Sequence, residues 1–363
     1  MFEQLKGIEK GREEKIHTSN LDCLLDVCDN LVREQRLITL PEREERTIEL
    51  YSKTYDLTKT IDFSEQDLKD LIFTKANKDY ENQDARAIGA YTGILLQILN
   101  ERKREEGKNA RFYINGQGNN FNFLFYGAKD VGDLIVENFK GKYICNQLGG
   151  FTIGQRPSNI NIAAGIGLEG SNAFSSCSTL DGKGIIIGKN IKGNSALSFA
   201  GVGNKIGLAL AQDIEGDFAL SETAAGEGEA NFIFAENIKG NYCFENAGVN
   251  EGEVNVAYAR NISGEDLFYH TGTGEFQEDV EYEGGKIRLI LYDNISSKRL
   301  HNVKAKRIIS HRNKKFPKLV SDYKIQQFFK LITPIDKVSV EGKFAILDQV
   351  KELYESIRHK ARK

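Results

Sequence analysis

No stretch of the chain approaches the roughly 20 consecutive apolar residues that a helical membrane span requires, which excludes a helical membrane protein. The opening residues, Met1-Phe2-Glu3-Gln4-Leu5-Lys6, lack an apolar signal core, so the expected location is the cytosol, with no membrane partner. No Cys-x-x-Cys, His-Glu-x-x-His or Walker sequence occurs. His17, His301, His311 and His359 have no partners at ligand spacing, so neither a metal nor another cofactor is expected. Cys23 and Cys28 lie five residues apart on a helical pattern and point in different directions, and unpaired buried thiols are the expectation for all 5 cysteines. Proline is scarce at 4 residues and tryptophan is absent, whereas glycine reaches 35 of 363.

What the chain has is a repeat. Glu137-Asn138-Phe139-Lys140-Gly141, Lys189-Asn190-Ile191-Lys192-Gly193, Gln212-Asp213-Ile214-Glu215-Gly216, Glu236-Asn237-Ile238-Lys239-Gly240 and Arg260-Asn261-Ile262-Ser263-Gly264 are copies of one motif, and Gly167-Leu168-Glu169-Gly170 is a looser one. Gly193 and Gly216 are 23 residues apart; Gly216 and Gly240, like Gly240 and Gly264, are 24 apart. Such a period means stacked units, because one unit alone cannot bury its apolar face. One apolar column precedes the glycine by two positions (Phe139, Leu168, Ile191, Ile214, Ile238, Ile262), and another follows it by four (Cys145, Phe174, Leu197, Leu220, Phe244, Phe268). Upstream, Ile185/Ile187, Leu208/Leu210, Phe232/Phe234 and Val256/Tyr258 alternate with smaller or polar residues as half-buried strands do, and are expected to face inward.

The column Asn138, Asn190, Asp213, Asn237 and Asn261 suits corners, because Asn tolerates left-handed backbone and its amide can bond up a stack. Short strands broken by Asn and Gly corners, with no helix-length pattern inside a repeat, predict a mainly β protein, a parallel β-helix or β-solenoid of about 23–24 residues per coil. The repeat resembles right-handed parallel β-helices in architecture. Polysaccharide lyases share that architecture and are largely secreted, but no cluster of Asp for their usual calcium is present. Gly165-x-Gly167-x-x-Gly170 spells a dinucleotide fingerprint, yet no strand–helix unit surrounds it and its glycines belong to the repeat.

Residues 1–109 read as a helical module that covers the N-terminal edge of the solenoid at 110–297. Asn20 is a candidate N-cap before Leu21, Leu24, Leu25, Cys28, Leu31 and Val32; Ser64 and Asp67 spell a capping box; a third helix is expected from about Asp84 to Glu106. The narrow face Ala85-x3-Gly89-x3-Gly93 admits close approach by another element. After Gly264 the period decays through Thr271-Gly272-Thr273-Gly274 and the acidic stretch Glu275 to Glu283, and residues 298–363 read as a basic helical segment. A helical N-terminus, β-helix core and helical C-terminus, in that order, resemble the Suf scaffold family of iron–sulfur cluster assembly. That resemblance implies a cytosolic scaffold acting in a protein complex, and with no shared motif it transfers no functional residue.

Residues 298–363 carry 18 Lys and Arg against 6 Asp and Glu, a net of +12 that leaves −15 on the remainder of a chain totalling −3. Two readings compete: the segment docks on its own acidic body, or Lys304, Lys306, Arg307, Arg312, Lys314, Lys315 and Lys318 contact phosphates of RNA or another polyanion. A sequence pI of 6.1 favours docking. For catalysis, Glu222, Asn246 and His270, with Ser221, Glu245 and Tyr269 beside them, fall at one position on successive coils and combine carboxylate, imidazole and hydroxyl groups. Polar ladders of this kind are ordinarily structural. The function expected is therefore a scaffold or binding protein for another macromolecule, a protein, with an RNA or polyanion binder acting through the basic segment and an enzyme using the polar ladder as the alternatives.

Overall fold

A computed structural model describes residues 19–38, 43–149, 159–272, 276–277, 280–281, 285–295 and 303–361. His17, His301 and the start of the basic segment at Lys298 lie outside these residues, as does most of the acidic stretch from Glu275 to Glu283. Four helices come first: α1 (Asn20–Arg36), α2 (Arg43–Lys59), α3 (Glu65–Lys75) and α4 (Asn82–Glu105). Strands follow: β1 (Arg111–Asn115), β2 (Asp130–Glu137), β3 (Asn159–Ile166), β4 (Ile185–Lys192), β5 (Lys205–Glu215), β6 (Glu229–Lys239) and β7 (Glu253–Ser263). The two-residue strands β8 (Phe276–Gln277) and β9 (Val280–Glu281) form a small antiparallel pair. Then come β10 (Lys286–Ile295), β11 (Ile308–Ser310), α5 (Phe316–Asp322), α6 (Ile325–Ile332) and α7 (Val340–Ile357).

Nine strands make one parallel sheet in the order β1-β2-β3-β4-β5-β6-β7-β10-β11, a solenoid-like arrangement in which sequence neighbours are spatial neighbours. Register follows the motif: Ile191 pairs with Ile214, Ile214 with Ile238, and Ile238 with Ile262. The corner residues Asn138, Asn190, Asp213, Asn237, Asn261 and Asn294 all hold left-handed backbone. Their side chains bond along the stack, Asn237 Nδ2 to Asp213 Oδ1 at 2.8 Å, Asn261 Nδ2 to Asn237 Oδ1 at 3.0 Å and Asn294 Nδ2 to Asn261 Oδ1 at 2.8 Å. The glycine that closes the corner is required sterically as well, since a Cβ on Gly216 would overlap the carbonyl oxygen of Gly193 one coil below.

Each coil contributes one strand and returns by a different backbone. Along 195–203, Ser195, Leu197, Phe199, Gly201 and Gly203 all have positive φ, as do Phe218, Leu220, Glu222 and Ala224 one coil later. This alternation points amides up and down the stack in turn: Ser195 N–H donates to Asp217 O at 2.8 Å above, and Leu197 N–H to Ala173 O at 2.9 Å below. The turn side thereby satisfies its backbone between coils without strand geometry.

The strand columns correct one expectation. Ile185, Ile187, Leu208, Leu210, Phe232, Phe234, Val256 and Tyr258 face outward, where they are buried beneath α5–α7 with Phe328, Phe329, Ile332, Leu347 and Tyr354. The intervening Ile186, Ala209, Ile233 and Ala257 face the interior, together with Leu197, Leu220, Phe244 and the corner isoleucines. The physical reason is that a parallel sheet buries both faces. Alternation of large with small then marks a thick outer layer against a narrow interior, not core against solvent.

The C-terminal helices dock by this apolar layer more than by charge. Polar contacts at the seam include Lys343–Glu137 at 3.2 Å, with both side chains 6% exposed, but Arg111–Asp348 at 2.6 Å runs with the opposite polarity. Tyr354 and Asn231 share a buried hydrogen bond of 3.0 Å. At the other end, α1–α4 cover the first coil. A Cβ on Gly89 would overlap the Phe123 carbonyl, Phe125 N–H donates to Thr92 Oγ1 at 2.9 Å, and Asn100 Nδ2 donates to Asp130 O at 2.9 Å. Ser19, not Asn20, caps α1 through a reciprocal box with Asp22, and Ser64 and Asp67 form the same box at α3.

Candidate functional site

Glu222, Asn246 and His270 stand on the turn side in one column, all with left-handed backbone. Glu222 N–H donates to Glu245 O at 2.6 Å and Asn246 N–H to Tyr269 O at 2.9 Å, so these two members are each linked to the next coil. All three are partly exposed. The rings of Tyr269 and His270 stack at 3.9 Å, and those of Phe218 and Tyr242 stack at 5.0 Å nearby. Partial burial, helped by the carboxylates of Glu222 and Asp266, pushes the Glu245 carboxyl above its ordinary value. Neighbouring coils in a parallel sheet lie about 4.8 Å apart, so Glu222 and His270 are separated by two such steps with Asn246 between them. The column presents a repeated polar and aromatic surface, and its buried Asn246 Oδ1 has no hydrogen-bond partner.

The basic residues separate into two groups. All seven of Lys304, Lys306, Arg307, Arg312, Lys314, Lys315 and Lys318 are exposed, and among the described residues no ion pair engages them. Arg312, Lys314, Lys315 and Lys318 sit on the turn before α5 and at its start. Lys304, Lys306 and Arg307 line a cavity of about 890 Å³ instead, with Lys286 and Arg288 of β10, Asn255 of β7, Tyr323 and Ala361. The sequence does not reveal Asn255, Lys286, Arg288 and Tyr323 as neighbours, because only pairing of β7 with β10 and β10 with β11, and the position of Tyr323 at the end of α5 beside Phe232, bring these segments together.

Two further expectations concern sulfur and metal. All five cysteines are free; burial raises the thiols of Cys28, Cys177 and Cys243 to about 12, which makes them poor nucleophiles. No group of three or more potential metal ligands occurs among the described residues. No described helix is long and apolar enough to cross a membrane.

No family model matches the chain, no curated protein is significantly similar to it, and no solved structure matches it.

Proposed function

We propose that this chain is a cytosolic β-solenoid scaffold that recognises another macromolecule, a protein, on the turn side of its coils. In this reading a coil of 23–24 residues repeats one surface, α1–α4 close one end, and α5–α7 cover the outer sheet face. The carrying observation is a pair of partly exposed turn-side columns, aromatic Phe218 and Tyr242 and polar Glu222, Asn246 and His270, held in register by bonds between coils. A surface fixed in this way costs little ordering entropy when a partner binds. It agrees with the scaffold role implied by the Suf-like order of segments, without depending on it.

The test is affinity capture on the immobilised full chain, with mass spectrometry of bound protein and sequencing of bound nucleic acid. A defined protein partner should be lost with Tyr242→Ala and His270→Ala while melting stays unchanged. Loss of melting without loss of capture returns the column to a structural role. A second reading, binding of RNA through Arg312, Lys314, Lys315 and Lys318, is favoured by their exposure. It requires a logarithmic salt slope of about −0.7 per phosphate contact on single strands. It also requires loss of binding to all sequences on reversing Lys314, Lys315 and Lys318 to Glu.

A further inference from the structure

The cavity at the C-terminal end of the sheet gathers positive charge beyond what its fold needs. Its wall combines Lys286 and Arg288 at the start of β10 with Lys304, Lys306 and Arg307 just before β11. Arg288 pairs with Glu253 at 2.6 Å. Lys286, Lys304, Lys306 and Arg307 have no carboxylate partner among the described residues, and nothing in the packing forces four like charges around one hollow. Like charges raise each other's energy wherever they converge. A polyanion seated among them reverses the sign of that term.

Two other features shape the site. Asn255 is 1% exposed and donates from Nδ2 to Asn231 Oδ1 at 3.2 Å, which leaves its own buried Oδ1 without a donor at the cavity floor. Tyr323 adds an aromatic wall, its ring held edge-on to Phe232 at 6.0 Å. The volume of about 890 Å³ falls within the range of sites that enclose small molecules, about 300–1,000 Å³. Arg312, Lys314, Lys315 and Lys318 do not line it, so the cations form a walled cluster and a separate exposed group, not one continuous track for a nucleic-acid backbone.

We propose that this cavity binds a small molecule carrying two or more phosphate groups. The cations hold the phosphate oxygens by charge-assisted hydrogen bonds, Asn255 Oδ1 accepts from a hydroxyl or N–H of the ligand, and Tyr323 borders its organic part. The site is independent of the turn-side column, so either can fail alone.

Isothermal titration of the full chain at low salt would use three probes: inorganic tripolyphosphate, ATP and a 16-nucleotide single-stranded RNA. Tripolyphosphate or ATP should bind with one site per chain. Lys306→Glu, on an exposed side chain, should weaken that binding at least tenfold, and Lys286→Ala several-fold, while the triple reversal at Lys314, Lys315 and Lys318 should leave it within twofold. Equal affinity for the two small probes assigns recognition to the phosphates alone, and tighter ATP adds contacts to base or sugar; both outcomes support the site. Tyr323→Ala then separates these sources, reducing affinity for ATP but not for tripolyphosphate when the organic part is bound. Absence of binding by both small probes overturns the proposal. So does binding of the small probes that survives Lys306→Glu and disappears with the triple reversal.

Discussion

On the strand side of one coil Ile185, Ile186 and Ile187 follow one another, all fully buried; on the turn side of the next, Phe218, Leu220, Glu222 and Ala224 hold positive φ at every second position. Among the described residues, no non-glycine residue with positive φ is Val, Ile or Thr. The reason is steric. β-branched side chains fit a pleated strand but are outliers in the left-handed region, so the two sides of a coil draw on different residue types while filling the same interior. The strand side gains by burying both faces, and the turn side gains only its inner face and the bonds between coils. Truncating a large buried side chain should therefore cost most on the strand side, whereas the turn side should be the more sensitive to β-branching.

The largest effect is expected at the outer face. Phe232 is fully buried under the C-terminal helices, with its ring 6.1 Å from that of Tyr354, so Phe232→Ala should cost about 3–5 kcal/mol. The same variant should expose α6 and α7 to hydrogen exchange. Unchanged protection of α7 would show that the helices do not depend on this layer. Next comes the shared interior: Ile238 lies fully buried between Ile214 and Ile262, and Ile238→Ala should cost about 2–5 kcal/mol. Lys239→Ala beside it removes an exposed side chain and should stay within about 0.5 kcal/mol. Equal melting of the two variants would break the register.

The corners were the most legible part of the sequence, since Asn or Asp, an isoleucine and a glycine recur together and each has a distinct physical task. Gly240 and Gly264 stack so closely that no other residue fits. The direction of the strand columns was not legible, because Leu208-Ala209-Leu210 reads alike whichever face the leucines take. Only the helices above Leu208 and Leu210 reveal it. Nor was the turn side legible as a structure: its signature is the missing β-branched residue at alternate positions, which no strand or helix periodicity reports. The column of Glu222, Asn246 and His270 was visible from spacing alone. The cavity was not, because Asn255, Lys286, Lys304 and Tyr323 converge from four separate stretches of chain.

A matched pair of substitutions sharpens the contrast directly. Ile233 is a buried, inward-facing strand residue and Leu220 a buried turn-side residue with left-handed backbone. Ile233→Val removes one methylene without changing the backbone demand and should cost about 0.5–1.5 kcal/mol. Leu220→Val removes one as well but adds β-branching at positive φ, for a total of about 2–4 kcal/mol. Equal losses in chemical denaturation would show that the turn side tolerates branching and that its composition has another origin.

The smallest effect belongs to the turn-side surface, where Glu245 is partly exposed and sits near Glu222 and Asp266. Burial first, then these two carboxylates, raises its carboxyl in the folded protein above the usual value near 4.5. A group whose pKa is raised by folding supports the fold fully below its unfolded pKa, and that support fades as pH rises through the folded value. At neutral pH Glu245 is thus a net liability in the folded state, reduced by the solvent around it to well under about 1 kcal/mol. Glu245→Gln keeps the side chain neutral at every pH. It should raise Tm slightly at neutral pH, and the gain should fade as pH falls below the ordinary carboxylate value, because the raised carboxyl takes up its proton in the folded state as well. Because Glu245 neighbours Asn246, the same variant measures whether the column is tuned for stability or for a partner. A Tm gain at neutral pH accompanied by loss of protein capture would mark the crowded carboxylates as part of the recognition surface, whereas a gain with capture intact would mark them as a tolerated cost of stacking.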